Sequence, residues 1–446
     1  MNKTFFFYDL ETSGLKARED RIMQFAGQRT SMELEPIGEP VNILVKMTDD
    51  ALPSPGAISV TGITPQQTLT DGMSEVEFCR YVMEEVFVPG TVAVGYNTVR
   101  FDDEFMRAIL WRNFYDPYEW QWKDDRSRWD ILDVVRLTRA LRPEGIEWPF
   151  TDDGKPTNRL ELLTKLNGVE HEHAHDALSD VYATIAVAKL IREKQPKLFE
   201  YLFGLRSKRE VQKLVNLASP KPFVYASGRY TSEHNKTTVA LPIAPGRNGN
   251  VLVYDLRHNL EELIRNSEKV DSTFFPAVKE LCYNKCPAVA PLGVLDSEKG
   301  WEKIGLTREE VDENMHIIME HPEFVEQVRT KHEERPEFPP AVEPEGVLYD
   351  GFLDDPDRIK VAAVRNADAS RLADFHPEFH DARLPELLLH YKGRNFPECM
   401  SDKEAEAYEK YRTERLKRQV PKFMVELGKV SDDFLKQELL LYMQSL

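Results

Sequence analysis

The most constraining feature of this chain is a run of four aromatic residues that leads directly into two acidic residues. Phe5 to Tyr8 form the run, and Asp9 and Glu11 follow it. Aromatic residues favour β-strands, so the segment predicts a buried strand over residues 4–10. Side chains alternate along a strand, which places Asp9 and Glu11 on the same face. Gly14 then ends the segment. The chain must therefore place two carboxylates side by side at the end of a buried strand.

Two later segments supply further acidic residues. Gly-Tyr-Asn-Thr-Val-Arg-Phe-Asp, residues 95–102, ends in Asp102, and a helix predicted over 103–113 places this carboxylate at a helix N-terminus, where the dipole tolerates it. His-Asp-Ala-Leu-Ser-Asp, residues 175–180, places His175 just before a predicted helix over 177–193 and Asp180 in its first turns. Four carboxylates and one histidine are the groups needed to hold two divalent cations and to deprotonate a water.

These residues predict a metal-dependent nuclease site. Asp9 and Glu11 would bind the first cation, with Asp9 bridging to the second, and Asp102 and Asp180 would complete the set of ligands. Such oxygen ligands select Mg²⁺, for which Mn²⁺ can substitute. His175 would act as the general base, because neutral imidazole is available near neutral pH.

The neighbouring histidines leave a second interpretation open. His171 and His173 alternate with His175 and could suggest zinc, although alternating histidines on a loop are more often surface residues. A single Asp-x-Glu or His-x4-Asp is also a weak signal. The three segments in this order, on a strand, a helix start and a helix, favour the nuclease.

The charge of the chain works against nucleic acid as a ligand. Its net charge of −18 repels phosphates on average, so binding needs locally concentrated cations. One candidate is the segment 206–236, for which a solvated charged face is an equal alternative. Its cations are Arg206, Lys208, Arg209, Lys213, Lys221, Arg229 and Lys236. Single strands also need stacking aromatics. Aromatic and cationic residues near the second motif are Phe101, Arg112, Phe114, Tyr115, Trp120, Trp122, Arg126, Arg128 and Trp129. Core packing is the more frequent role for any one of these aromatics.

Length and composition indicate a folded, multidomain protein. At 446 residues, with 41% hydrophobic and 30% charged residues, the chain is too long for one core. No apolar run approaches the ~20 residues of a membrane helix, and no signal peptide is evident. The four cysteines form no zinc or disulfide pattern, which favours a cytosolic protein.

The pattern along the chain predicts three domains. Residues 1–200 read as an α/β domain, 201–350 as a small β-rich domain with helical insertions, and 351–446 as a helical domain. The β-prone runs of the middle part are 223–227, 237–241 and 251–256. The last part predicts helices over 357–364, 384–394, 402–418 and 432–443. The Pro-rich stretch 335–346 is typical of a linker.

The three motifs, Asp-Leu-Glu-Thr-Ser-Gly, Asn-Thr-Val-Arg-Phe-Asp and His-Asp-Ala-Leu-Ser-Asp, resemble the signature of the DEDDh exonucleases. Longer stretches, among them Ser-Arg-Trp-Asp-Ile-Leu-Asp, Ala-Leu-Arg-Pro-Glu-Gly-Ile and Leu-Tyr-Asp-Gly-Phe, are similar to the bacterial exonuclease I family within that class. The resemblance implies a ribonuclease-H-like exonuclease domain, a central SH3-like domain and a C-terminal helical domain. It also implies Mg²⁺-dependent, processive 3′→5′ hydrolysis of single-stranded DNA to 5′-mononucleotides, in repair and recombination.

The resemblance also implies contacts with substrate and partner. Thr12 matches a position that contacts the terminal nucleotide, next to Glu11. Independently of the resemblance, the needs of a single strand make Phe101 a candidate for stacking and Arg142 a candidate for a phosphate contact. The implied partner is the C-terminal tail of single-stranded-DNA-binding protein, in a cytoplasmic, bacterial and monomeric enzyme. Its pocket could lie in 206–236 or in the helices after residue 354. An RNA-end exonuclease and a tethering module with a vestigial nuclease are the competing interpretations.

Overall fold

The computed structural model of the protein describes residues 3–169, 176–265, 276–334, 341 and 343–446. The N-terminal part contains a mixed five-stranded sheet in the order β3-β2-β1-β4-β5. Its strands are β1 (Thr4–Thr12), β2 (Ile22–Thr30), β3 (Val41–Leu44), β4 (Thr91–Gly95) and β5 (Ser127–Asp130). β1 pairs antiparallel with β2 and parallel with β4, so the strand that carries the two acidic residues is central.

The aromatic run explains why β1 is central. Phe5 and Phe7 point into one hydrophobic core, while Phe6 and Tyr8 point into a second core on the other face of the sheet. All four side chains are at most 2% exposed. A strand with large apolar side chains on both faces is stable only when both faces are covered. The predicted buried strand is confirmed.

Helices cover both faces of this sheet. The α-helices described in the N-terminal part are α1 (Pro55–Thr61), α2 (Pro65–Asp71), α3 (Glu75–Tyr81), α4 (Asp102–Arg112), α5 (Ile131–Leu141), α6 (Leu160–Leu166), α7 (Ala177–Lys194) and α8 (Pro196–Gly204). α7 packs on β1 and β2, which brings the third motif to the first. α8 spans the predicted domain boundary between residues 200 and 201.

The middle part contains a five-stranded sheet in the order β10-β6-β7-β8-β9, with antiparallel pairing throughout. Its strands are β6 (Phe223–Ala226), β7 (Thr237–Pro245), β8 (Val251–Asp255), β9 (Val278–Leu281) and β10 (Ala288–Pro291). The accompanying helices are α9 (Lys208–Leu214), α10 (Leu260–Arg265), α11 (Gly300–Ile304), α12 (Arg308–Glu320) and α13 (Pro322–Glu334). A small β-rich unit with helical insertions was expected here, and the structure has one.

The C-terminal part is helical, as predicted. Its helices are α14 (Asp355–Arg365), α15 (Ala369–Asp374), α16 (Leu384–Asn395), α17 (Asp402–Leu427) and α18 (Asp433–Ser445). The prediction that the long helix ends at residue 418 is wrong, because α17 continues through Pro421 to Leu427. Phe423 and Leu427, beyond the proline, pack in a core with Met23 and Met47 of the N-terminal part. This packing outweighs the local helix-breaking effect of proline.

The segment 335–346 was predicted to be a linker, but those of its residues that the structure describes make buried contacts. Glu345 is 1% exposed and forms ion pairs with Arg21, Arg394 and Arg415. The Trp111 indole donates a hydrogen bond to the Pro344 carbonyl at 2.9 Å. The segment therefore joins the N-terminal and C-terminal parts by buried contacts. Among the described residues, no helix is both long enough and apolar enough to span a membrane.

Candidate active site

Asp9 and Glu11 lie near the end of β1, two residues apart, and project from the same face of the sheet. Asp180 reaches them from the first turns of α7. One carboxylate oxygen from each of Asp9, Glu11 and Asp180 lies within 4.8 Å of the other two, close enough to share a metal ion. Residues on a strand and on a helix are thus brought together as the sequence predicts.

Asp102 is the first residue of α4 and is 3% exposed. Its Oδ1 accepts a hydrogen bond at 3.1 Å from the backbone N–H of Leu10, the residue between the two acidic residues of β1. The loop before it is held by Asp130, which accepts hydrogen bonds from Asn97 N at 2.9 Å and from Val99 N at 3.2 Å. Asp102 is therefore fixed against the strand that carries the other carboxylates.

The four carboxylates disfavour one another's charge. Burial, then the charges of Asp180 and Asp102, raises the pKa of Glu11 to about 8. Burial, opposed in part by backbone hydrogen bonds, raises the pKa of Asp102 to about 8 as well. The pKa of Asp9 lies well above its ordinary value, again through burial first and its acidic neighbours second. A divalent cation would relieve this repulsion, so the residues present fit the predicted metal site.

One acidic residue in this field was not predicted. Asp176 caps the N-terminus of α7, where its side chain accepts a hydrogen bond from Ser179 N at 3.0 Å. Its charge also raises the pKa values of Asp9 and Glu11. The helix-start pattern of the third motif could have indicated this cap. The predicted general base His175, and the neighbouring His171 and His173, lie outside the described residues.

A groove of about 620 Å³ opens beside the carboxylates. Glu11, Thr12 and Phe101, three of the predicted substrate contacts, line it. The Thr12 hydroxyl donates a hydrogen bond to the Gly14 carbonyl at 2.7 Å, and Phe101 packs against Phe105 with ring centroids 5.0 Å apart. Both side chains are thus held in place at the edge of the groove.

Arg142, the fourth predicted contact, is not brought to this groove. It follows the last residue of α5, about 18 Å along the helix axis from Asp130 at its start. Its Nε pairs with Glu298 of the middle part at 3.1 Å. A phosphate contact of Arg142 would therefore lie outside the carboxylate site.

The aromatic and cationic candidates around the second motif have mostly structural contacts. Trp120 and Trp129 are at most 1% exposed and pack in the two cores of the first domain, as the core interpretation expected. Arg112 forms a buried pair with Glu75, and Arg128 pairs with Asp103. Trp122, at 63%, is exposed.

The cations of 206–236 are only partly available for a ligand. Lys213 pairs with Glu210 at 2.6 Å. Arg206 lies over the Phe203 ring, 3.7 Å from its centroid. Arg229 donates to the Glu280 carbonyl at 2.7 Å. The partner pocket predicted for this segment or for the later helices stays a prediction.

Sequence reasoning missed the far wall of the groove. α1 supplies one part of it, and Glu426, Lys429 and Val430 at the end of α17 supply another. Ser54 links the two, because its hydroxyl caps α1 and donates to Glu426 Oε2 at 2.6 Å. A Ser-Pro start and a Gly after residue 61 could have signalled α1. Nothing local signals that residues 426–430 lie there.

The fold and the acidic site are those of an exonuclease, and a family model described as "Exonuclease" matches residues 6–188. Models described as "Exonuclease I SH3-like domain" and "Exonuclease I C-terminal domain" match residues 206–334 and 342–443. The chain is 39% identical to exodeoxyribonuclease I of Haemophilus influenzae, covering 96% of this chain and 93% of the relative. It is 40% identical to exodeoxyribonuclease I of Escherichia coli, covering 92% and 89%. The protein belongs to the exonuclease I family.

Solved structures agree with this assignment. E. coli exonuclease I in complex with a 5cy-dT13 oligonucleotide matches with a TM-score of 0.92 at 37% identity, covering 100% of this chain and 99% of that one. A structure described as SSB/exonuclease I in complex with an inhibitor matches with a TM-score of 0.89 at 37% identity, covering 100% and 99%. The predicted fold class, with ribonuclease-H-like, SH3-like and helical domains, is confirmed, as is the prediction of an exonuclease.

Proposed function

We propose that the protein is an exodeoxyribonuclease that hydrolyses single-stranded DNA processively from the 3′ end and releases 5′-mononucleotides. The observation that carries the proposal is the cluster of Asp9, Glu11 and Asp180, with Asp102 fixed against the same strand, beside a groove of about 620 Å³. The relatives' name and the oligonucleotide complex of the E. coli protein support DNA as the substrate.

Asp9, Glu11, Asp102 and Asp180 would hold two Mg²⁺ ions, with Mn²⁺ as a substitute. Bound there, the two ions would activate a water and stabilise the leaving 3′ oxygen. Asp102 holds its position through the Leu10 N–H, and the α7 cap at Asp176 holds Asp180. His175 would accept the proton of the attacking water.

The groove offers the terminal nucleotide both polar and apolar surfaces. Thr12 and Glu11 would contact the sugar end, and Phe101 would lie against a base. The C-terminal domain lies across the groove from β1, so a strand would pass between two domains. This enclosure supports processivity without base-specific contacts.

We also propose a protein partner and a cellular role. The SSB/exonuclease I structure supports single-stranded-DNA-binding protein as a partner, and we propose its C-terminal tail as the segment that binds. An acidic, apolar tail with a free carboxylate needs a cationic pocket with an apolar floor. The enzyme would act as a monomer in DNA repair and recombination in the bacterial cytoplasm. A tail peptide and its C-terminally amidated form should bind unequally if the free carboxylate is recognised.

The test is a gel assay on end-labelled single-stranded DNA, duplex DNA and RNA with Mg²⁺ or EDTA. Asp9→Asn removes one ligand charge at nearly constant volume, and Asp71→Asn makes the same change at an exposed position at the end of α2. We expect Mg²⁺-dependent shortening of single-stranded DNA from its 3′ end by wild type and Asp71→Asn, and its loss in Asp9→Asn.

The other outcomes decide between the competing functions. Faster degradation of RNA than of DNA would assign the protein to enzymes that act on RNA ends. Cleavage of no substrate, with single-stranded DNA still bound, would favour a tethering module. His175→Ala should keep metal and DNA binding and lose turnover by about 10²- to 10⁴-fold. A collapse of Mg²⁺ affinity in that variant would mean that His175 is a ligand instead.

A further inference from the structure

The wall of the catalytic groove that faces β1 is built by the C-terminal domain. Glu426, Lys429 and Val430, from the end of α17 and the turn after it, line the same groove as Glu11. α17 is held there by two hydrogen bonds, from Ser54 Oγ to Glu426 Oε2 at 2.6 Å and from Leu52 N to Gln419 Oε1 at 2.7 Å. The end of α17 is therefore a fixed part of the groove.

The charges in this groove are unfavourable for a phosphodiester. Glu11 and Glu426 are both acidic, and the C-terminal end of a helix such as α17 carries a partial negative charge. Among the described residues that line the groove, Lys429 is the one cation. Its side chain is exposed, and no ion pair joins it to another described residue. A phosphate in the groove would therefore be attracted to the ammonium group of Lys429.

The same helix carries two further cations, at positions farther from the catalytic carboxylates. Arg418 and Lys422 line a second hollow of about 810 Å³, which shares Ser54 and Glu426 with the catalytic groove. Residues four apart lie on the same face of a helix, about 6 Å along its axis. Arg418 is 54% exposed and Lys422 66% exposed, so both can reach a strand although each has an acidic neighbour.

We propose that the C-terminal half of α17 and the turn after it form a phosphate track for the substrate strand. Lys429 lies at the catalytic end, and Lys422 and Arg418 continue the track along the helix. The inference rests on the proposed function, since it takes single-stranded DNA as the occupant of the groove. Contacts of cations with phosphates position a strand without reading its bases, so the track acts equally on all sequences.

The experiment compares Lys429→Gln with Lys417→Gln, which removes the same charge from an exposed lysine of α17 that does not line either hollow. Binding of labelled dT and dA oligonucleotides is measured by fluorescence anisotropy over a range of salt concentrations. The Asp9→Asn background prevents digestion during the measurement.

We expect Lys429→Gln to weaken binding about fivefold at low salt, the factor given by two unit charges about 4 Å apart in water. The slope of log K against log salt should fall by about 0.7, the value for one phosphate contact with a single strand. Both oligonucleotides should lose the same factor, and Lys429→Arg should restore it. Equal affinity and equal slope in Lys429→Gln and Lys417→Gln would overturn the track.

A second measurement separates this inference from the proposed function. With Asp9 intact, Lys429→Gln should raise KM for single-stranded DNA and leave kcat unchanged, because the contact is made before and during the reaction. A parent protein that neither binds nor cuts single-stranded DNA would overturn the proposed function and the track together. A parent that cuts normally, with KM unchanged in Lys429→Gln, would overturn the track alone.

Discussion

Glu345→Gln tests whether a buried ion cluster holds the C-terminal domain against the exonuclease domain. The Glu345 carboxylate is 3.2 Å from Arg21 Nη2 and 3.3 Å from Arg415 Nη1, and it also pairs with Arg394. Asp50 pairs with the same three arginines. Glutamine keeps the size of the side chain and removes a charge that balances three buried cations, so those cations lose part of their compensation.

The magnitude follows from the pKa of Glu345. Burial raises this pKa, but the charges of Arg21, Arg394 and Arg415 outweigh burial and lower it from 4.5 to about 2. At about 1.36 kcal/mol for each pH unit, the difference corresponds to about 3 kcal/mol of stability. This agrees with the ~3–5 kcal/mol for removing one partner of a buried ion pair. Because folding lowers the pKa, the contribution is fully present above pH 4.5 and is lost as the pH falls toward 2.

The assay is urea unfolding of wild type and Glu345→Gln at pH 7 and near pH 3. We expect a clearly lower midpoint for the variant at pH 7 and a narrower gap near pH 3, where the wild-type carboxylate also loses its advantage. Glu326→Gln is the control, because Glu326 pairs with Arg329 on the surface of α13 and such pairs contribute little. An unchanged midpoint at pH 7, or an equal gap at both pH values, would refute the reasoning.

Other buried groups give shorter predictions. In EDTA, Asp9→Asn should unfold at a higher temperature than wild type in a thermal-shift assay, because burial and the neighbouring carboxylates raise the pKa of Asp9 and disfavour its charge. Addition of Mg²⁺ should raise the unfolding temperature of wild type alone. Burial raises the pKa of the Cys286 thiol to about 12, so this thiol should react with a disulfide reagent only after unfolding, and rapid reaction of the native protein would contradict its burial. Asp130→Ala should lower stability by about 1–3 kcal/mol, as measured by urea unfolding, since it leaves Asn97 N and Val99 N without their acceptor.

Local sequence patterns were sufficient to predict where the carboxylates of the site lie. The alternation of β1 fixes Asp9 and Glu11 on one face, and the helix start in the third motif places Asp180 on α7. The first domain could therefore be predicted from three short segments, and the order of strands and helices predicted its α/β class.

Contacts between distant segments could not be predicted in the same way. α17 runs past Pro421 because Phe423 and Leu427 pack against the first domain, which no local preference reveals. Arg142 stays a candidate for a phosphate contact, but no local pattern shows that it follows the far end of α5 and does not line the catalytic groove. Lys429 lines the same groove as Glu11 although hundreds of residues separate them in the chain. Only tertiary packing determines these placements.

The position of α17 connects the stability of the domain interface with the binding of substrate. Arg415 joins the buried ion cluster, and Glu426, about 16 Å further along the helix, joins the wall of the catalytic groove. Because a continuous, packed helix resists independent movement of its parts, a change in the ion cluster at Arg415 should displace the groove wall at Glu426. Glu345→Gln should therefore weaken single-stranded DNA binding as well as stability, although Glu345 does not line the groove. A destabilised variant with wild-type KM would show that the two ends of α17 act independently.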